Sequence, residues 1–449
     1  MKQLFGTDGI RGVANQYPMT SEVALSLGRA LTAIFRNGRP HPRILIGKDT
    51  RLSGYMLETA IASGICSMGG DPLLVGPMPT PAIAFLTQAM RADAGVMISA
   101  SHNSFQDNGI KVFDRSGFKL PDEVEEKIEG LILSGEIDHH RPTTEGIGKA
   151  FRVDDARGRY IEFLKSTFPK DLTLDGMKLV VDCAHGATYQ IAPIILEELG
   201  AEVTTLGTDP DGRNINDGFG AVAPQKMAAQ VRESGADVGL ALDGDGDRVI
   251  FADEKGSVVD GDATLVICAE ELLLRGQLKK ETLVATVMSN RAVEDYMGSR
   301  GGKVVRTPVG DRYVVEMMRK KDYNFGGETS GHIIFRDHST TGDGLIAALQ
   351  ILALMKRREK PLSEIVSSYH PYPQILTNVQ VRERRDLSLF PEVQGMIRKI
   401  EENLGNHGRV FIRYSGTEPV VRIMIEGREP IALRKMADDL SSCIQKNLL

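Results

Sequence analysis

Residues 43–76, RILIGKDTRLSGYMLETAIASGICSMGGDPLLVG, carry the pattern that decides the fold. RILIGKDT is an apolar run bounded by turn residues and reads as a strand. YMLETAIASGICSMG spaces its apolar side chains as a helix packed on one face does. DPLLVG is again a short apolar run, a second strand. Strand, helix and strand within about 30 residues make a βαβ unit, whose two strands lie parallel. Working outward, PTPAIAFLTQAM continues as a helix opened by Pro79 or Pro81, and DAGVMIS as a third strand.

The alternation then recurs twice. KLVVDCA, QIAPIILEELG, EVTTLG, PQKMAAQVRESG and DVGLAL form a second round; TLVATVMS, NRAVEDYMG, KVVRTPV, RYVVEMMRKKD and FGGETSGHIIF form a third. Only the pattern repeats, not the residues. The fold class is therefore α/β, with three similar α/β mixed-sheet domains built on largely parallel strands. A proline-rich joint, Tyr369-His370-Pro371-Tyr372-Pro373, precedes a different plan: QILTNVQVRER, the helix FPEVQGMIRKIEENLG, the hairpin RVFIRYSGTEPVVRIMIEG and a last helix. That reads as a C-terminal α+β domain. The expected boundaries are 1–150, 151–258, 259–369 and 370–449.

A net charge of −6 over 449 residues leaves no broad basic surface for nucleic acid. No apolar run reaches the roughly 18 residues of a membrane helix, and no signal peptide opens the chain, so no membrane partner is expected. Cys66, Cys183, Cys268 and Cys443 are far apart and form no C-x-x-C pair. Buried thiols in a reduced, cytoplasmic protein are the expectation. His139-His140 lies in an aperiodic joint without acids or cysteines at ligand spacing, which reads as a plain linker.

Chemistry begins in GVMISASHNSFQDNGIKVF, residues 95–113. Its apolar strand ends in Ser99-Ala100-Ser101-His102-Asn103, and Lys111 follows. A strand-end serine beside a histidine and near a lysine can attack or carry a group, but the G-x-S-x-G elbow of a serine hydrolase is not there. LDGDGDR places Asp243, Asp245 and Asp247 at alternate positions. Carboxylates about 4 Å apart repel by roughly 4 kcal/mol in a moderate dielectric, so a hard cation such as Mg²⁺ is expected among them. Arg248-Val249-Ile250-Phe251 returns at once to a buried strand, unlike an exposed acidic turn. An EF-hand would need glycine where Arg248 stands.

RYSGTEP offers Arg413, Ser415, Gly416 and Thr417, with Arg422 on the returning strand. Hydroxyls, backbone N–H groups and guanidinium forks together suit a phosphate, although a plain hairpin turn would look the same. GGETSGH puts Glu328, Ser330 and His332 at a strand end, where the glutamate and serine can meet sugar hydroxyls. FGTDGIRG places Thr7 and Arg11 in a glycine-rich loop that lacks the pattern of a nucleotide P-loop. GFGAVA follows NIND rather than a strand and is not read as a dinucleotide fingerprint. A carrier serine, an aspartate trio and a phosphate nest together suggest phosphoryl transfer.

These strings resemble the α-D-phosphohexomutase family nearly end to end. SASHN is similar to its phosphoserine loop, DGDGDR to its metal loop, GETSGH to its sugar loop and RYSGTEP to its phosphate loop. FGTDGIRG, GKDTRLSG and NIND point to the amino-sugar branch. The resemblance implies four domains around a central cleft: phosphoserine (1–150), metal-binding (151–258), sugar-binding (259–369) and phosphate-binding (370–449). It implies a phosphorylated Ser101, with Mg²⁺ on Asp243, Asp245, Asp247 and an oxygen of that serine. Arg11, Lys111, His102 and Arg248 would surround the transferring group, with Lys111 in proton transfer and His102 supporting the loop. Glu328 and Ser330 would bind the sugar, while Arg413, Ser415, Gly416, Thr417 and Arg422 would hold the phosphate that does not react.

The implied reaction converts glucosamine 6-phosphate to glucosamine 1-phosphate through a 1,6-bisphosphate, which also serves as activator, for UDP-N-acetylglucosamine and cell-wall precursor synthesis. The partner is then a small hexosamine phosphate; a homodimer is one open assembly. Ser104 stands where the family usually has proline, Thr329 where its glucosamine enzymes carry glutamine, and GFGAVAP where a glycine-serine run is usual. Glucose or mannose phosphate specificity, a non-catalytic sugar-phosphate-binding protein and a metal-dependent phosphatase are the competing readings.

Overall fold

The 43–76 stretch forms as read, with strands Arg43–Lys48 and Asp71–Pro77 paired in parallel across the helix Leu52–Ser67. The helix starts three residues before the expected Tyr55. The computed structural model describes residues 3–6, 8–36, 38–139, 141–382, 385–414 and 420–448. Two units divide the chain: Met1–Met288 with Val305–Ser367, and Ser289–Val304 with Ser368–Leu449.

In the first unit, β1 (Phe5–Gly6), β2 (Gly9–Val13), β3 (Arg43–Lys48), β4 (Asp71–Pro77), β5 (Ala94–Ile98), β6 (Asp107–Asp114) and β7 (Phe151–Arg152) make one sheet, ordered β1-β2-β6-β5-β3-β4-β7. β5, β3, β4 and β7 run parallel; β6, β2 and β1 are antiparallel additions. FGTDGIRG, expected as a loop, is mostly the β1–β2 hairpin, because Phe5 and Ile10 are drawn into the first core. Thr7 lies outside the described residues. Helices α1 (Ser21–Ile34), α2 (Leu52–Ser67), α3 (Thr80–Ala89) and α4 (Asp122–Ser134) accompany this sheet.

After α5 (Ala156–Thr167), the strands β8 (Lys178–Asp182), β9 (Glu202–Leu206), β10 (Val238–Leu242), β11 (Val249–Asp253) and β12 (Val258–Val259) form the second sheet, ordered β12-β11-β10-β8-β9, with α6 (Ile191–Glu198) and α7 (Gln225–Ser234) between strands. The third round supplies α8 (Gly261–Leu274), β13 (Thr282–Thr286), α9 (Ala292–Ser299), β14 (Lys303–Thr307), α10 (Asp311–Lys321), β15 (Phe325–Gly327), β16 (Ile333–Phe335), α11 (Gly344–Arg358) and α12 (Leu362–Val366). β13 pairs in parallel with β15, and β15 antiparallel with β16. FGGETSGHIIF, the last element of the third round, is thus a hairpin. Gly331 turns it back with φ of +88°, a conformation that favours glycine.

Each α/β sheet therefore carries an antiparallel hairpin beside its parallel strands. The last pairs are Ile98 with Ile110, Leu242 with Val249 and Gly327 with Ile333. The tips, residues 99–109, 243–248 and 328–332, hold three of the four strings that carry chemistry.

The second unit contains α9 and an antiparallel sheet of β17 (Gln374–Gln380), β18 (Arg409–Tyr414) and β19 (Val420–Glu426), ordered β17-β19-β18, covered by α13 (Pro391–Leu404) and α14 (Pro430–Leu448). Buried Glu426 accepts from Arg409 Nε, from Gln374 Nε2 and from the Arg291 N–H, which ties the 289–304 segment to this sheet. Cys183, in an apolar segment, is buried as expected, while Cys66, expected buried for the same reason, is only half-buried; Cys268 is buried, Cys443 half-buried, and all four are free thiols. Among the described residues no helix is long and apolar enough to cross a membrane.

One buried acid sets a pH dependence. Asp343 caps α11 by accepting from the Leu345 and Ile346 N–H groups, and Tyr160 Oη donates to it at 2.6 Å. Burial pushes its pKa up to about 6, against partial relief from Tyr160 and the two amides. A folded value above the ordinary one means that folding favours the protonated acid. That contribution is complete below about pH 4 and is lost as pH rises through about 6. Asp343→Asn keeps an acceptor for the cap and is expected to raise stability at pH 7.5 by up to about 3 kcal/mol, with little change near pH 4. Thermal melts across pH 4–8 check this; equal shifts at both ends would contradict it.

Candidate active site and metal centre

The first two tips meet at Ser101, whose Oγ donates to Asp243 Oδ2 at 2.6 Å. Ser101 is buried and sits at φ +53°, a left-handed conformation uncommon for a non-glycine residue. The carboxylate oxygens of Asp243, Asp245 and Asp247 gather within 4.8 Å of one another, all buried. They lie in the turn after β10 rather than along the strand, so it is the turn that brings them together.

Their individual oxygens are unequally supplied. Asp243 Oδ1 accepts from the Arg248 N–H at 3.2 Å. Asp245 Oδ2 accepts from Thr80 Oγ1 at 2.5 Å and from Lys111 Nζ at 2.8 Å, while its Oδ1 is buried without a partner. Asp247 Oδ2 accepts from Lys111 at 3.4 Å, and its buried Oδ1 has no hydrogen bond either. Two unsatisfied buried carboxylate oxygens in an all-oxygen trio are what a hard divalent cation requires, and Mg²⁺ fits. Burial, with Asp247 and Asp245 alongside, pushes the Asp243 pKa well up. Burial also opposes ionisation of Asp247, but Lys111, His332 and Arg248 hold its pKa well below the usual carboxylate range.

Lys111, on β6, is 1% exposed. Burial disfavours its charge, yet Asp245, Asp8 and Asp247 keep it ionised and raise its pKa well above that of an ordinary lysine. Arg11 pairs with Asp8, and Arg248 Nε lies 3.8 Å from Asp247 Oδ1. The Nε atoms of both arginines and His102 Nδ1 are buried without hydrogen-bond partners. Burial, then the charges of Arg248 and Arg11, lowers the His102 pKa to about 4, so the ring is neutral near pH 7.

The third tip reaches the same centre. Val249 N–H donates to the Gly331 carbonyl at 3.0 Å, and Gly344 N–H to that of Gly246 at 3.0 Å. Glu328 Oε1 accepts from the Gly310 N–H at 3.0 Å, and Ser330 is half-buried. His332 Nε2 accepts from the Gly342 N–H at 3.1 Å while its Nδ1 faces Asp247 at 3.6 Å. Arg413 and Arg422 lie in the second unit, directly opposite each other on β18 and β19 and exposed. Ser415, Gly416 and Thr417 fall outside the described residues, as do the side chains of His139 and His140.

Reading residues missed Asp8, Lys119, Asp311 and Thr80. Lys119 Nζ bonds Asp8 and lies 2.6 Å from Asp311 Oδ2, which is 3.6 Å from His332 Nε2. Asp8 sits inside FGTDGIRG, and a charged residue at the tip of a glycine-rich turn was the signal available. Thr80 gives none, being one more residue at a helix start.

Four domain models of the phosphoglucomutase/phosphomannomutase family match in chain order: the alpha/beta/alpha domains I, II and III over residues 2–138, 158–256 and 260–372, and the C-terminal domain over 376–442. The chain belongs to the α-D-phosphohexomutase family. It is 59% identical over 448 residues to phosphoglucosamine mutase of Geobacter sp. strain M21, covering 100% of this chain and 99% of that one. Identity is 60% over 451 residues to phosphoglucosamine mutase of Anaeromyxobacter sp. strain Fw109-5, covering 100% and 96%. A phosphoglucomutase/phosphomannomutase family protein from Burkholderia thailandensis superposes with a TM-score of 0.79 at 25% identity, over 99% of this chain and 97% of that one. Aspergillus fumigatus N-acetylphosphoglucosamine mutase, solved with GlcNAc-6P and magnesium, shares the fold, with a TM-score of 0.68 at 18% identity over 100% and 96%. As a phosphohexomutase, the chain is an intramolecular phosphotransferase whose aspartate trio suits Mg²⁺.

Proposed function

We propose that this phosphohexomutase interconverts glucosamine 6-phosphate and glucosamine 1-phosphate, with Ser101 carrying the phosphoryl group between turnovers. The observation that carries the chemistry is the 2.6 Å contact of Ser101 Oγ with Asp243 inside the buried carboxylate trio. The sugar rests on the likeness to full-length phosphoglucosamine mutases. In this reading phosphorylated Ser101 passes its group to the free sugar hydroxyl, giving a 1,6-bisphosphate. The sugar then turns over and its other phosphoryl group returns to Ser101.

Asp243, Asp245 and Asp247, with an oxygen on Ser101, would hold Mg²⁺, which offsets negative charge on the transferring group. The guanidinium groups of Arg11 and Arg248 suit its outer oxygens. Ionised Lys111 can return a proton to the serine oxygen, and neutral His102 supports the loop that carries Ser101. Glu328 and Ser330 bind sugar hydroxyls in this scheme. Arg413 and Arg422, like charges directly opposite on a sheet, gain from an anion between them, the fixed phosphate, which Ser415, Gly416 and Thr417 complete. A reducing cytoplasm suits the four free thiols.

The test is kcat/KM for glucosamine, glucose and mannose 6-phosphates with Mg²⁺ and an activating bisphosphate, following inorganic phosphate in parallel. Preference for the amino sugar by at least about 100-fold is expected, with little phosphate released. Equal use of glucose or mannose would move the enzyme to another branch. Steady phosphate release would make it a phosphatase.

A further inference from the structure

The backbone of the Ser101 turn is held by side chains from two different α/β domains. Arg51, fully buried just before α2, donates from Nη2 to the Ser101 carbonyl at 3.1 Å and to the Asn103 carbonyl at 2.5 Å. Asn216, from the NIND segment after β9, donates from Nδ2 to the same two carbonyls at 2.9 Å each. Each carbonyl thus receives two donors, which fills both of its lone pairs. Neither side chain hydrogen-bonds the three aspartates, Glu328 or Ser330.

This arrangement is tightly specified. Arg51 is oriented by buried Asp49, which pairs with its Nη1 and accepts its own N–H at 3.0 Å. Asn216 itself sits at φ +60°, fixed by its N–H bond to the Ala184 carbonyl at 2.9 Å, and its Oδ1 is buried without a partner. The amide is therefore placed for its two donations at the expense of its acceptor. Gly244, between two of the aspartates, passes so close that a Cβ there would lie 2.7 Å from both the Ser101 carbonyl oxygen and Asn216 Nδ2. Ser101, at φ +53°, is in a conformation that persists only when surroundings impose it.

We propose that Arg51 and Asn216 are positioning residues, a carbonyl clamp that holds Ser101 in its left-handed turn so that Oγ points at Asp243. Because Asn216 comes from the second α/β domain, the clamp makes the competence of the serine depend on that domain being seated. The inference rests on Ser101 being the phosphoryl carrier.

Full-length enzyme labelled with ³²P at Ser101 tests it by single-turnover transfer to glucosamine 6-phosphate, alongside steady-state kcat, KM and Mg²⁺ affinity. Asn216→Asp turns the two donations into a carboxylate facing two carbonyls and is expected to lower the transfer rate and kcat about 100-fold. KM should change less than about threefold, since no substrate contact is removed, while Mg²⁺ affinity should fall as the Ser101 oxygen is displaced. Arg51→Lys keeps the charge beside Asp49 but loses the fork, and should reproduce the effect at about tenfold or more. A merely structural role would lower the melting temperature and leave transfer in the folded fraction unchanged; that result overturns the clamp. Wild-type enzyme that never carries label on Ser101 overturns the carrier reading and the clamp with it.

Discussion

Ser101→Ala is expected to lower kcat for glucosamine phosphate conversion by at least about 10⁴-fold while leaving a folded enzyme. The hydroxyl donates to Asp243 Oδ2, so its removal takes one hydrogen bond from a buried acid, a loss of about 1–3 kcal/mol at most. That acid already resists ionisation through burial and its two carboxylate neighbours, which limits the cost further. The catalytic loss is of another order, because no other described hydroxyl shares the tip that meets the aspartate trio with that geometry. A coupled assay for the 1-phosphate, with intact-mass measurement of the phosphorylated form, reads both effects. More than about a tenth of wild-type activity would place the carrier elsewhere.

The second large effect concerns Lys111. Its ammonium is shared by Asp245 at 2.8 Å and Asp247 at 3.4 Å, both buried where screening is weak, and by the partly exposed Asp8 at 3.8 Å. Lys111→Met leaves those carboxylates facing one another, and breaking a buried pair in this way costs about 3–5 kcal/mol. Melts in EDTA should show that loss, and Mg²⁺ should recover part of it, because the cation takes over some of the missing charge. Activity should remain about 10²–10³-fold lower even when the metal is saturating, since a fixed positive charge beside the transferring group is gone. Equal melting in EDTA, with kcat within about threefold of wild type, would remove Lys111 from the reaction.

Much of this was legible before any coordinates. Alternation of strand and helix followed from apolar spacing, and 43–76 is the plainest case. Strand direction was not legible. Val249–Asp253 reads as a buried strand whichever way it runs, and only the tight turn Asp243–Arg248 makes it antiparallel. Ser101 and the three aspartates stood out because polar residues that close an apolar run need a reason to be there. Thr80 and Lys119 did not, because their partners lie far along the chain: Asp245 is 165 residues from Thr80, and Lys119 meets Asp311 across 192. Such contacts belong to the packing of domains, which local pattern does not encode. Asn216 was read only as part of a family signature, and its two bonds to the Ser101 turn supply the physical reason for it.

The three hairpin tips divide the labour of the site, one copy of the same supersecondary unit for each task. In the proposed scheme phosphoryl carriage sits on the first, charge neutralisation on the second and sugar recognition on the third. An enzyme built this way can change its diet without relearning its chemistry. On that scheme, rewriting residues 328–332, Thr329 first, would retune which hexose is welcomed, while the serine and aspartate tips would stay under the constraint of a reaction common to every substrate. Substitutions that distinguish one specificity from another should then accumulate on one tip, and the other two should read alike whatever sugar is turned over.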